Sequence, residues 1–264
     1  MSTKALYADA LLTQCRVIGA LMLRDMRTRF GRLFFGYVIS ILWPLSHLLI
    51  LMIFYAGLRR VAPIGTSAPI FFATGLLPYI LCLYPARWIM ISLVVNEPLL
   101  HFPVVKSLDI IVARAILETI TAFWVVVLFC FSLWIADVEF YPTQPDEALL
   151  AIFATIYLAF SIGFISAVLY KFARFFIFVT VASLILMWLT CGAFFLPNSL
   201  PSHIQYYMSF NPLFHSVEWL RSAYYDGYSY GLLDKQYLLG VCTALLAFGL
   251  ILERLVRGYI LQIH

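Results

Sequence analysis

Charge is what this chain has least of. Asp, Glu, Lys and Arg make up only 11% of its 264 residues, against 64% hydrophobic residues, whereas a soluble domain carries roughly 25% charged residues. So little polar surface cannot cover a chain of this length in water, and a bilayer must be part of its solvent. The net charge of +4 is too small to argue for a nucleic-acid partner, and none is expected. No Gly-x-x-x-x-Gly-Lys-Ser/Thr occurs, so the chain has no P-loop in which to cradle nucleotide phosphates. No Cys-x-x-Cys occurs either. The five cysteines are an odd number: Cys82, Cys130, Cys191 and Cys242 lie inside apolar runs and Cys15 lies near the start. They read as small buried hydrophobes and imply no disulfide framework. No cluster of metal ligands is visible.

What is abundant is apolar length. A membrane helix needs about 20 mostly apolar residues, and six stretches qualify. Leu33 to Gly57, Ala148 to Tyr170 and Phe175 to Leu196 are uncharged. Pro69 to Val95 is interrupted by Arg87, and Ala115 to Ala136 by Glu118. Gln236 to Leu252 is the shortest and needs a few flanking residues. With the N-terminus inside, the inner segments hold twelve Lys and Arg and the outer segments four, which places both termini in the cytoplasm. The connection "DVEFYPTQPDE" has four acids and no base, as an external loop allows. The expected architecture is an all-α, multi-pass membrane protein. Residues 1–32 form a cytoplasmic tail and interface helix, and residues 33–264 a six-span domain. The long apolar run after the first arginines and the five spans beyond it exclude a signal peptide.

On a helix at 100° per residue, Met22, Leu23, Met26, Phe30, Leu33 and Phe34 share one arc, with Arg24, Arg27 and Arg32 opposite. That is an amphipathic helix for the inner membrane interface. Arg87 sits within "YPARWIM" of the second span, where a charge costs about 2.5–3.5 kcal/mol on insertion scales and must face protein or water. It either lines a path and meets an anionic substrate group, with Trp43, Tyr55, Tyr84 and Trp88 as the aromatic residues of that path, or snorkels, or pairs with Glu118. Arg114 and Glu118 stand at i, i+4 and are expected to pair structurally. His47 among leucines reads as a hydrogen-bonded packing residue.

From Phe175 to Val217 the chain has no charged residue, too long for one span and too apolar for a free loop. Residues 197–235 therefore read as re-entrant helices that dip into the outer leaflet, with irregular backbone held against protein or a wet cavity. His215, Glu218, Trp219, Arg221 and Tyr225 form either an internal ion-paired hairpin or an outer gate. Tyr206, Tyr207, Tyr224, Tyr228, Tyr230 and Tyr237 crowd the same region. An interface belt explains many of them, and stacking on sugar C–H faces is the alternative use.

Three stretches, "LMLRDMRTRFGRLFFGY" followed by "PLSHLLIL", "PVVKSLDIIVARAILET" and "NPLFHSVEWLRSAYYDGY", in this order and with this six-span layout, resemble the membrane subunit of bacterial capsular-polysaccharide ABC exporters, the KpsM-like permeases. The resemblance runs from about residue 16 to the last span. One position departs: such permeases often carry an acid before the first span's proline, and this chain has Trp43. The resemblance implies a homodimer joined by two copies of a cytoplasmic ABC ATPase, which binds the ATP and Mg, so that no cofactor sits in this chain. It also implies a periplasmic co-polymerase or adaptor, an outer-membrane export channel and a lipid-linked glycan as substrate. Glu97, Pro98, Leu99, Leu100, His101, Phe102 and Pro103 fall where a short helix of ABC exporters transmits the ATPase motion. Exposed apolar residues on such a connection call for a partner surface or the lipid interface. Arg24, Arg27 and Arg32 then either anchor to lipid or meet the anionic end of the glycolipid. Alternatives are a permease for O-antigen, a teichoic-acid-like polymer or a small molecule, a passive channel, or a membrane transferase. For the last, the one Asp-x-Asp/Glu, Asp137–Glu139, falls on the wrong side.

Overall fold

The computed structural model describes residues 3–30, 35–57, 63–65, 67–228 and 231–260. Arg32, Arg59, Arg60, Tyr230 and the predicted start of the first span at Leu33 lie outside them. The described residues are helical and contain no strand. In chain order they form α1 (Thr3–Phe30), α2 (Phe35–Gly57), α3 (Ala68–Val95), a 3-10 turn (Glu97–His101), α4 (Ser107–Ile135), α5 (Pro145–Phe172), α6 (Phe176–Leu189), a second 3-10 turn (Pro197–Ser199), α7 (Ser202–Met208), α8 (Pro212–Tyr224) and α9 (Lys235–Ile260). Five of these, α2, α3, α4, α5 and α9, are long and apolar enough to cross a membrane.

The expected fifth span is where sequence and structure part. The apolar run to Leu196 predicts one crossing helix, yet α6 has only 14 residues. At 1.5 Å per residue that is about 21 Å, short of a hydrocarbon core of about 30 Å. The helix stops because Gly192 takes a positive φ of 76° and Pro197 follows. Hydropathy is blind to both. α4, by contrast, starts at Ser107 rather than Ala115. Arg114 is no barrier to the helix, because its charge is paired inside the protein.

α3 and α5 are the most buried of the long helices and pack tightly at Gly163. A Cβ there would lie 2.7 Å from Ile89 Cβ and 3.1 Å from the Ala86 carbonyl oxygen. Gly163→Leu is expected to force the pair apart at a cost of about 1–3 kcal/mol or more and to lower the unfolding midpoint in detergent by about 5 °C. Gly240→Leu, at a position with nothing within 4 Å, leaves that midpoint unchanged. Equal midpoints for the two variants would refute this packing.

α1 lies against α4 and the 96–109 connection. Val17, Ile18, Leu21 and Met22 join a core with Leu100, Ile110 and Val168. Gln14 donates to Asp109, Arg24 Nη1 to Asn96 Oδ1 at 2.6 Å, and Arg114 Nη1 to Asp25 at 3.3 Å. The face held to the protein is thus Gln14, Ile18, Leu21 and Asp25, at helical spacing. It is rotated from the predicted arc, of which Leu23 points outward. Three polar ties set the rotation, and an apolar arc count cannot see them.

Candidate functional site

α2 and α3 carry their internal prolines at Pro44, Pro78 and Pro85, and beside Pro44 and Pro85 the two helices leave a groove. One part of it, about 510 Å³, is lined by Ile39, Ser40, Trp43, Pro44, Tyr84 and Trp88. An adjoining part of about 300 Å³ adds Arg87, Met90 and Ile91 of α3 and Ile177 and Val181 of α6. The predicted path residues Trp43, Tyr84, Arg87 and Trp88 therefore stand together. Trp43 is 67% exposed and Arg87 is exposed, with no carboxylate partner for Arg87 among the described residues. The Arg87–Glu118 pairing considered from sequence is not formed. Glu118 accepts from Arg114 Nη2 at 2.6 Å, as the i, i+4 spacing predicts.

Tyr55 stands apart from the groove but is linked to it by rings. Its centroid is 4.3 Å from that of Phe194. Phe194 is 5.7 Å from Trp188, and Trp188 stacks on Tyr79 at 5.3 Å. His47 lies 6.5 Å from Tyr79 and 6.0 Å from Tyr84, and its Nδ1 is 3.1 Å from the Tyr84 hydroxyl. The hydrogen bond agrees with a packing role for His47. Phe194, Trp188 and Tyr79 were not singled out from sequence. Their signal, three aromatics at distant positions, appears only when α3 and the end of α6 are brought together. Arg24 and Arg27 do not line the groove. Arg24 is held to Asn96 and Arg27 is exposed.

At the α1 end, the turn from Glu97 to His101 is fixed by charge. Glu97 bonds Lys171 Nζ at 2.9 Å and Arg174 Nη2 at 3.2 Å, and Pro98 is set at the first turn. Leu100 is buried and Leu99 packs on the same core. The predicted knob of Leu99, Leu100 and Phe102 is thereby corrected. Two of the three serve the core, and the outward apolar group is Phe102, Pro103 and Val104, with Phe102 60% and Val104 57% exposed. His101 is exposed beside them.

The hydrogen bond from Lys171, with Arg174 assisting, holds the Glu97 carboxyl below its usual pKa. Its stabilising effect is therefore complete above the ordinary carboxylate range and is lost as the pH falls through the lowered pKa. Glu97→Gln is expected to cost about 1–3 kcal/mol near neutral pH, because Lys171 is left buried without its partner. The gap in unfolding midpoint between wild type and variant should close on acidification. A gap independent of pH would exclude the pair as its source.

At the opposite end, α8 packs against α3, α5 and α9. Arg221 is fully buried (0% exposed). Its Nη1 donates to the carbonyls of Gly192 at 2.8 Å and Phe195 at 3.3 Å, and its Nη2 to Ala193 at 2.9 Å. Glu218 Oε1 is 3.6 Å away at i, i+3, and Tyr228 donates to both Glu218 oxygens at 2.8 and 2.9 Å. The His215 ring spans two backbone groups: Nδ1 accepts from Asp234 N at 3.1 Å, so Nε2 carries the proton donated to Ser209 O at 2.8 Å. Trp219 Nε1 donates to Glu147 at 2.6 Å, and Lys235 bonds the same oxygen. Tyr225 covers Gly65. Glu218 and Arg221 thus share one cluster with Tyr228, Trp219 joins Glu147 and Lys235, and His215 ties two backbone groups. Arg221 Nε and the buried Tyr225 hydroxyl have no hydrogen-bond partner among the described residues. The five predicted residues therefore share a region rather than one bonded network. Sequence reading did not identify Tyr228 and Glu147 as partners there. Among the described residues, no group of three or more His, Cys, Asp or Glu is placed to hold a metal ion.

Five helices long and apolar enough to cross a membrane, with a groove between α2 and α3, describe a membrane-embedded protein. The family model of the ABC-2 type transporter matches residues 16–225, and the chain belongs to that family. It is 34% identical over 239 residues to the polysialic acid transport protein KpsM of Escherichia coli, covering 90% of this chain and 92% of that protein. It is 29% identical over 257 residues to the capsule polysaccharide export inner-membrane protein CtrC of Neisseria meningitidis serogroup A, covering 97% of each. It is 26% identical over 260 residues to the capsule polysaccharide export inner-membrane protein BexB of Haemophilus influenzae, covering 95% of each.

Proposed function

We propose that this chain is the membrane subunit of an ATP-driven exporter that moves a lipid-linked capsular polysaccharide across the bacterial inner membrane. The observation that carries the reading is the groove of Trp43, Tyr84, Arg87 and Trp88, continued by rings to Tyr55. Aromatic faces receive sugar C–H groups, and a guanidinium without a carboxylate partner receives a phosphate or sugar carboxylate. Such a surface lets a polymer slide without holding it at one point. The names of the relatives supply the substrate class.

The chain acts as a homodimer with two copies of a separate ATPase, which carries the nucleotide and Mg, since no P-loop is present here. It is not itself an enzyme. A periplasmic adaptor and an outer-membrane channel complete the route. Both termini, α1 and the 97–106 connection face the cytoplasm, in agreement with the excess of Lys and Arg on that side. α6 and residues 190–196 together make the fifth of six crossings, and residues 197–235 re-enter the outer leaflet. The carbonyls of Gly192, Ala193 and Phe195, in the irregular backbone after α6, are met by Arg221, as backbone at membrane depth requires.

The test is a deletion strain carrying the gene for this chain, with its ATPase. Surface capsule is expected only when both are present and the ATPase active. Glycan on the surface without either protein would overturn the proposal.

A further inference from the structure

We propose that the recess between the 3-10 turn and the end of α9 is a second docking site for the ATPase subunit, taking an apolar side chain flanked by a carboxylate. The proposal rests on the reading of residues 97–103 as the ATPase-coupling element.

The recess, about 170 Å³, is lined by Leu100, Phe102, Pro103, Val105, Lys106 and Arg257, with Ser107 at its edge. Its wall is apolar and its charged groups are both cations. Behind it lies Glu253, a carboxylate only 1% exposed that the groove and the α8 region do not use. Glu253 accepts from Ser107 Oγ and holds Arg257 through Nε at 3.1 Å and Nη2 at 2.9 Å. Two of the five guanidinium N–H groups are thereby engaged, and three remain for an incoming acceptor. The half-buried guanidinium is fixed in advance, which reduces the ordering cost of binding.

Glu253 already pairs with Arg257, while Asp109 and Glu97, the acids of the adjoining connection, are committed elsewhere and leave Lys106 in excess. Asp109 accepts from the Lys106 backbone N–H at 3.0 Å and from Gln14, and Glu97 is bound to Lys171 and Arg174. Arg254, exposed on the same helix, adds to the positive field. The complementary group is a carboxylate. The recess opens beside Phe102 and Val104, the exposed apolar residues of the coupling element, so a protein that covers them also covers the recess. Its size suits one side chain rather than a lipid tail. A partner seated there moves the last helix through Glu253 and Ser107 together with the 97–103 turn.

The experiment uses the full-length protein with its ATPase and measures their affinity at about 50 mM and about 500 mM salt. Lys106→Glu and Arg257→Gln are expected to weaken association about 5- to 10-fold at low salt and less at high salt. Phe102→Asp is expected to weaken it at both. An unchanged unfolding midpoint shows that each variant folds, and Lys106→Glu, on an exposed side chain, carries the test should Arg257→Gln not fold. If Phe102→Asp weakens association while the cation variants leave affinity and its salt dependence intact, the recess proposal falls and the coupling reading stands. If Phe102→Asp is also silent, both fall. Loss of co-purifying anionic phospholipid from the cation variants, with ATPase affinity unchanged, assigns the recess to lipid and overturns the proposal.

Discussion

Arg221→Ala is expected to deplete the protein from the membrane rather than merely slow it. The substitution leaves Glu218 as a buried carboxylate whose cation is gone, with only Tyr228 still bonded to it. It also leaves the carbonyls of Gly192, Ala193 and Phe195 without the buried donor that met them. Breaking a buried pair from one side costs about 3–5 kcal/mol, a large share of a total stability of about 5–15 kcal/mol. Arg221→Lys fares little better, because a point charge cannot serve three carbonyls on a planar fork. The double variant Arg221→Met, Glu218→Gln removes the stranded charge and recovers part of the loss. It stays below wild type because the carbonyls remain unmet. Unfolding midpoints in detergent and amounts in isolated membranes give the measurement. Wild-type stability for Arg221→Ala, or full recovery in the double variant, would contradict this account.

The same arginine marks how far the sequence could be read. The i, i+3 pairing of Glu218 and Arg221 was legible from their spacing. What else Arg221 binds was not, because those partners are backbone carbonyls 26 to 29 positions away and carbonyls carry no sequence signal. Five long spans were legible because twenty apolar residues have few other uses. The short α6 was not, since a window of hydropathy averages across Gly192. In the groove, Trp43, Tyr84, Arg87 and Trp88 were legible because a charge at depth needs a reason and its neighbours are rings. The chain through Tyr79, Trp188 and Phe194 depends on tertiary packing of α3 against the end of α6. The outward turn of Phe102 and Val104 and inward turn of Leu99 and Leu100 depend on the 3-10 geometry, which an apolar count over residues 96–109 does not resolve.

Arg87→Leu is expected to abolish most export while leaving the protein as abundant as wild type and still bound to its ATPase. The two halves of this expectation have separate causes. Arg87 has no ion-pair partner among the described residues and lines the groove, so removing it strands no buried acid. A leucine at that depth also spares the insertion cost of about 2.5–3.5 kcal/mol. Assembly should therefore be unchanged or slightly improved. The transported polymer loses a charge-assisted bond worth about 1.5–3 kcal/mol, a factor of about 10 to 100 in the population engaged at the groove. Arg87→Lys keeps the charge without the fork and should fall between. Arg87→Glu, which repels an anionic glycan, should fall lowest. Trp88→Ala removes a ring but no charge, so its effect should be smaller and insensitive to whether the glycan is acidic. Quantified surface polysaccharide, normalised to permease in the membrane, ranks the four variants. The order Lys, Leu, Glu at position 87 is the signature of a contact with negative charge in transit. Equal export by all three would leave Arg87 as an ornament of the groove wall and return the anionic group to some other cation of the path.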